Sequence, residues 1–157
     1  MVEIHATALA LAVGADAPLF GLLLTGPSGS GKSTLALALI ERCREGRTRL
    51  VADDLVTIEN RRARLVASGG RDFLGEAELR GVGVLRVPAL PRVTLRLALR
   101  LGEPPTRLAD PAVYAPWGVE GDSIPSLPAP RCAPIGIVSL CRSVANGHNP
   151  ALGRPAR

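Results

Sequence analysis

The sequence predicts an α/β domain in which strands outnumber helices, and three observations carry that reading. The run Gly26-Pro27-Ser28-Gly29-Ser30-Gly31-Lys32-Ser33 fills every fixed position of the pattern G-x-x-x-x-G-K-[ST]. An apolar strand precedes this run and a helical pattern follows it. Further along, short apolar runs bounded by turn residues outnumber helical patterns, so a regular alternation of strands and helices is not expected.

Val2 to Val13 alternates well enough for one strand, which turns at Gly14-Ala15-Asp16-Ala17-Pro18. Phe20-Gly21-Leu22-Leu23-Leu24-Thr25 reads as a short buried strand, and Thr34 to Cys43 as a helix closed near Gly46. Arg49-Leu50-Val51-Ala52-Asp53-Asp54 is an apolar strand ending in two acids. Leu55 to Ile58 and Arg64 to Ala67 flank Glu59-Asn60-Arg61-Arg62 and read as a hairpin. Glu78 to Val87 leads into a further strand, and Val93 to Leu101 alternates as a half-exposed strand does. From Gly102 to Pro134 the chain holds eight of its fourteen prolines and reads as loop. Ile135-Gly136-Ile137-Val138-Ser139-Leu140 is the last predicted strand. The expected organisation is one domain over residues 1–145, with residues 146–157 a disordered tail.

At 157 residues the chain is long enough for one sizeable core. Of its residues 46% are hydrophobic but only 3% aromatic, so that core must be leucine, valine and alanine. The net charge is +5, yet the arginines are scattered and no aromatics interleave them. This argues against a nucleic-acid surface and suits phosphates or an acidic protein partner. Cys43, Cys132 and Cys141 lack C-x-x-C spacing and read as buried thiols of a reducing compartment rather than disulfide or zinc ligands. The apolar stretch Ala6 to Val13 is too short and too poor in preceding basic residues for a signal peptide, and no segment is long enough to span a membrane. The expected location is the cytoplasm.

The glycines of the loop let its backbone turn tightly and aim N–H groups at phosphate oxygens, with a helix N-terminus behind them. Gly26, Pro27, Ser28, Gly29, Ser30, Gly31, Lys32, Ser33 and Thr34 are therefore the candidate nucleotide-phosphate cradle. Lys32 is the only lysine among nineteen basic residues. It offers a compact ammonium to the β- and γ-phosphates, and the Ser33 hydroxyl can ligate Mg²⁺. Asp53 and Asp54, at the strand end after the helix, offer one carboxylate for the Mg²⁺ shell and one to accept a proton. A helix cap or turn pair is the plainer alternative. His5 stands alone on its strand, where a histidine is more often structural. Glu78 reads equally as a second metal ligand or a surface acid, and Arg107 is one of many arginines able to stabilise phosphoryl charge. Asp72-Phe73-Leu74-Gly75 fits the D-x-x-G of GTPases, but their base-reading element needs a second lysine.

Taken in order, Ile4-His5-Ala6, the segment Thr25 to Ala36, Leu50-Val51-Ala52-Asp53-Asp54 and Glu78-Leu79-Arg80-Gly81-Val82-Gly83-Val84 resemble the catalytic domain of HPr kinase/phosphorylase. That family phosphorylates a serine of the phosphocarrier protein HPr. The last segment is similar to the family signature, an acidic residue, an aliphatic and Arg-Gly-hydrophobic-Gly. The resemblance runs roughly from residue 4 to 140 and is strongest through Val87. It implies a phosphate-loop (P-loop) α/β fold with a mixed, strand-rich sheet, related to phosphoenolpyruvate carboxykinase, with ATP and Mg²⁺ as cofactors. It implies that Lys32 holds the β- and γ-phosphates, that Ser33 and Glu78 ligate Mg²⁺ with Asp53 alongside, and that Asp54 is the base with His5 beside it. Arg107 looks like the family's catalytic arginine. The implied partner is an HPr-like phosphocarrier, with no nucleic acid or membrane, and the family's members form homohexamers. Longer members carry a separate N-terminal domain and C-terminal helices that this chain is expected to lack, and an acid where Thr34 stands. A small-molecule kinase and a non-catalytic ATP-dependent switch are the alternative readings.

Overall fold

The computed structural model describes residues 1–104, 112–117, 123–129 and 134–148. In chain order the elements are β1 (Val2–His5), β2 (Thr7–Leu11), β3 (Phe20–Thr25), α1 (Lys32–Glu41), β4 (Arg49–Ala52), β5 (Leu55–Asn60) and β6 (Leu65–Ser68). A 3-10 turn (Arg71–Phe73), β7 (Glu76–Leu79), β8 (Gly83–Arg86), β9 (Arg92–Arg100), β10 (Ala112–Tyr114), β11 (Ile124–Pro128) and α2 (Pro134–Ala145) follow. One mixed sheet runs β1-β5-β6-β9-β3-β2-β4, with β11 joined to β9 and β10 to β11. Parallel pairs join β9 to β3 and to β11, and β2 lies antiparallel to both of its neighbours. β7 and β8 form a separate hairpin. No helix among the described residues is long and apolar enough to cross a membrane.

β2 is buried at every position because both faces of the sheet are covered. Its alternation sends Leu9 and Leu11 into a leucine-rich core with Ala36 and Leu39 of α1 and Ile137 and Cys141 of α2. Ala8 and Ala10 face the other way, into a second core with Val56 and Ile58 of β5 and Ala67 of β6. The sheet thus folds over on itself, and alanine on the inner face lets the two layers meet closely. Both cores are largely leucine, valine and alanine, as the composition requires.

Five expectations are corrected. The strand expected over Val2 to Val13 is two strands parted at Ala6, β1 pairing with β5 while β2 pairs with β3 and β4. The helix expected from Thr34 starts at Lys32, straight out of the glycine loop. Ile135 to Leu140 is not a strand but the body of α2, whose buried residues Ile137, Cys141 and Val144 recur at helical spacing. Pro134 occupies its first position, where a missing N–H costs nothing. At its far end Gly147 (φ 89°) closes the helix, His148 N–H donating to the Ser143 carbonyl at 3.0 Å and Gly147 N–H to the Val144 carbonyl at 3.1 Å. Asn146 to His148 are therefore a helix cap rather than the start of a tail; residues 149–157 lie outside the described residues. Finally, the proline-rich stretch from Gly102 to Pro134 contains β10 and β11.

Candidate active site

Three glycines give the Gly26–Ser33 loop its shape. Gly26, Gly29 and Gly31 have φ of 139°, 79° and 93°, a region that side-chain-bearing residues rarely enter. A Cβ on Gly26 would also lie 2.6 Å from the Leu101 carbonyl oxygen. The first helical bond runs from Leu35 N–H to the Gly31 carbonyl at 2.9 Å. The N–H groups of Lys32, Ser33 and Thr34 therefore have no intrahelical partner and form a donor cluster at the positive end of α1. No acidic residue occupies that first turn to compete with an anion. Lys32 is 7% exposed, and its Nζ donates to the Gly26 and Pro27 carbonyls at 2.9 and 3.1 Å, bracing the loop from within.

Asp53 is the hub of the site. The pairing of β2 with β4 slips between Ala8↔Ala52 and Leu9↔Leu50, leaving Val51 as a bulge. Consequently Val51 and Ala52 both face the alanine-rich core, and the strand end is re-aimed towards the loop. Asp53 Oδ1 accepts from Thr7 Oγ at 2.7 Å and from Ser33 Oγ at 2.9 Å, and its Oδ2 accepts from Glu78 N–H at 3.2 Å. Glu78 is brought there by the β7–β8 hairpin. The chain leaving that hairpin docks on β4, Leu50 N–H donating to the Pro88 carbonyl and Leu90 N–H to the Leu50 carbonyl at 2.9 and 2.8 Å. At the hairpin's turn, Arg80 reaches back over the loop and donates to Ser28 Oγ at 2.8 Å.

Asp54 occupies a tight turn between β4 and β5. Leu55 N–H donates to the Asp53 carbonyl at 2.9 Å across it, and Asp54 itself has φ 69°. This is the three-residue turn with a positive central φ, a strained form that persists where surrounding bonds over-determine it. One such bond is Ala6 N–H to the Asp54 carbonyl at 3.2 Å. The β1–β5 register places His5 opposite Leu55, and the His5 Nδ1 to Asp54 Oδ1 distance is 2.9 Å. Both side chains are open to solvent at the mouth of the cleft.

These groups line one cleft of about 220 Å³. It gathers His5, Lys32, Ser33, Asp53, Asp54 and Glu78, all singled out from the sequence. Among the described residues no three His, Cys, Asp or Glu side chains group closely enough to enclose a metal by themselves. The oxygen donors Ser33, Asp53 and Glu78 instead suit a hard cation that shares its coordination with phosphates, which is the habit of Mg²⁺. Arg107, the fourth residue of the expected catalytic set, lies outside the described residues, as does Cys132. Asp72 sits on the 3-10 turn and is not part of the cleft lining.

Two participants were not singled out from sequence. Thr7 carried one available signal, a hydroxyl in a stripe that otherwise reads Leu9, Leu11. Arg80 was read only as part of a motif, and its reach to the loop depends on how the hairpin docks.

A family model described as the HPr serine kinase C-terminal domain matches residues 11–91, just over half of the chain. The chain belongs to that family. The chain is 46% identical over 70 residues to the HPr kinase/phosphorylase of Clostridium tetani, and 47% identical over 70 residues to that of Clostridium acetobutylicum. Each match takes in 45% of this chain and spans only 22% of the relative's length. The solved structure of the Hpr(Ser) kinase/phosphatase from Coxiella burnetii matches with a TM-score of 0.74 at 25% identity. That match covers 94% of this chain and 98% of the other.

Proposed function

We propose that this chain is an ATP- and Mg²⁺-dependent serine kinase acting on HPr or a related phosphocarrier protein in the cytoplasm. The observation that carries the reading is the convergence on one cleft of the glycine loop, the buried Lys32 and the solvent-open Asp54–His5 pair. In this reading the Gly26–Thr34 segment is a phosphate-binding loop, in a phosphate-loop fold of the phosphoenolpyruvate carboxykinase kind. Its N–H groups and Lys32 hold the β- and γ-phosphates, and Arg80 lies over the same loop as a further positive charge. Ser33, Asp53 and Glu78 would hold Mg²⁺, which neutralises charge developing on the phosphates. Asp54 accepts the proton of the attacking serine hydroxyl, and His5 orients and polarises that carboxylate. Catalysis is then mainly positioning and charge stabilisation, with the base contributing ~10²–10⁴-fold.

An exposed base suits a protein acceptor, whose serine must approach from outside. The relatives' names include phosphorylase and phosphatase, and by microscopic reversibility the same carboxyl would return its proton to the serine oxygen in the reverse step. Arg107 as a stabiliser of the transferred phosphoryl charge, and assembly into a homohexamer, belong to the same proposal.

The test is incubation with γ-labelled ATP, Mg²⁺ and the HPr-like protein, wild type beside Asp54→Asn. A labelled serine that disappears in the variant, with ATP binding retained, is the expected result. ATP bound without any labelled acceptor would replace this reading with a nucleotide-dependent switch, and labelled metabolites would replace it with a small-molecule kinase.

A further inference from the structure

We infer that Thr7 is a positioning residue for the cation, acting through Asp53 on Ser33; this rests on the nucleotide and Mg²⁺ reading above. Thr7 is fully buried, on the α1 face of β2, in the stripe continued by Leu9 and Leu11. Packing alone would favour an aliphatic side chain there, because a buried hydroxyl is costly unless it is bonded. Its bond is to a carboxylate oxygen, at 2.7 Å. That same oxygen accepts from Ser33 Oγ at 2.9 Å.

Each hydroxyl has one proton. Ser33 spends its own on Asp53, so its lone pairs are left to face the cleft, where a cation would sit. The direction of those lone pairs therefore depends on where Asp53 Oδ1 is held. Of the three donors to Asp53, Ser33 belongs to the loop's end and Glu78 N–H to a hairpin outside the main sheet. Only Thr7 stands on an interior strand, opposite Leu24 of β3, with the adjacent Ala8 opposite Ala52 of β4. Its β-branched side chain has few rotamers in such a setting. Thr7 thus ties the carboxylate to the rigid sheet, and partners of this kind typically govern ~10–100-fold in metal affinity.

The test compares Thr7→Val, which keeps the volume and removes the donor, with Thr7→Ser, which keeps the donor. A fluorescent ATP analogue is titrated at rising Mg²⁺, and separately in EDTA. Thr7→Val should need at least about tenfold more Mg²⁺ for half-maximal binding, with Mg²⁺-free affinity within about twofold of wild type. Thr7→Ser should stay close to wild type. Should the valine variant not fold, Thr7→Ala makes the same comparison with the serine variant. An unchanged Mg²⁺ requirement without the hydroxyl, or equal losses in the valine and serine variants, would overturn the role assigned to Thr7 while leaving the nucleotide reading intact. A wild-type protein that binds no nucleotide at any Mg²⁺ concentration would overturn both.

Discussion

His5 Nδ1 and Asp54 Oδ1 lie 2.9 Å apart across the β1–β5 pair, with 51% of the histidine and 74% of the aspartate side chain exposed. Such an open contact contributes little to stability, typically ~0.2–1 kcal/mol even between full charges. Its placement beside the glycine loop gives it a chemical use instead.

The first prediction separates those two contributions. His5→Asn and Asp54→Asn should each change the thermal midpoint by no more than about 3 °C, since ~1 kcal/mol shifts a chain of this size by roughly 2–4 °C. Asparagine also tolerates the positive φ at position 54. Serine phosphorylation should fall by ~10²–10⁴-fold in Asp54→Asn and by more than about tenfold in His5→Asn. Melting curves and initial rates on the same preparations decide the matter. A large loss of stability with proportionate loss of rate would mean that the pair is structural.

Lys32 should be needed twice. Its ammonium braces the loop through the Gly26 and Pro27 carbonyls, and in the proposed function it also meets the phosphates. Lys32→Met should weaken nucleotide binding by at least about thirtyfold, the low end of what truncating a buried charged partner costs. It should also lower stability, because two charge-assisted hydrogen bonds disappear. As the only lysine, Lys32 can be followed by amine acylation and mass spectrometry without interference from other side chains. MgATP should protect it further, and equal labelling with and without MgATP would contradict phosphate contact.

Gly21 marks where β3 and β9 come closest. A Cβ there would collide with the Thr94 carbonyl oxygen and lie 2.9 Å from the Leu95 Cα, both of them backbone. Neither neighbour can step aside without parting a parallel strand pair at the centre of the sheet. Gly21→Ala should therefore destabilise by about 3 kcal/mol or more, at or above the usual cost of overpacking. A drop in thermal midpoint of roughly 6–12 °C is expected, with the cleft residues themselves untouched. A midpoint within a degree or two of wild type would show that β3 and β9 can separate at no cost.

How much of this was legible follows from what each feature depends on. The loop, its flanking strand and helix, and the acids at the end of β4 are encoded within short spans, and the residues alone predicted them. The closeness of His5 and Asp54 depends on the register of β1 against β5, so the residues alone left His5 looking structural, and only the family resemblance set it beside Asp54. Thr7 and Arg80 act through tertiary approach and were missed. The misread α2 is different, because Pro134, Gly147 and the spacing of Ile137, Cys141 and Val144 were all in the sequence. Its β-branched residues and Gly136 favoured a strand, and burial against α1 and the sheet decided for the helix. β11 was hidden by Pro125 and Pro128, since proline within a run normally demotes a strand, and β10 is only three residues long.

The last prediction concerns the two free cysteines among the described residues, of which Cys141 is buried as expected while Cys43, just past the end of α1, is only partly so. Cys141 is buried in the leucine-rich core, and burial pushes its thiol up from 9.0 to about 12. At Cys43 partial burial acts in the same direction, but hydrogen bonds from Thr48, Arg47 and Glu45 outweigh it and the thiol falls below its ordinary value. Because the thiolate is the reactive form, iodoacetamide at pH 8 should modify Cys43 at least about a hundredfold faster than Cys141 in the folded protein. In guanidinium the two should react alike. The raised value at Cys141 also fixes the sign of a stability effect: its folded-state value exceeds the unfolded one, and the neutral thiol is the form the core accepts. That contribution is complete below pH 9 and is lost progressively as the pH climbs towards 12. Cys141→Ala should remove this alkaline component of the unfolding curve while lowering stability at neutral pH through the cavity it leaves. Comparable alkylation of both cysteines in the native state would mean that α2 detaches from the core far more readily than its packing implies.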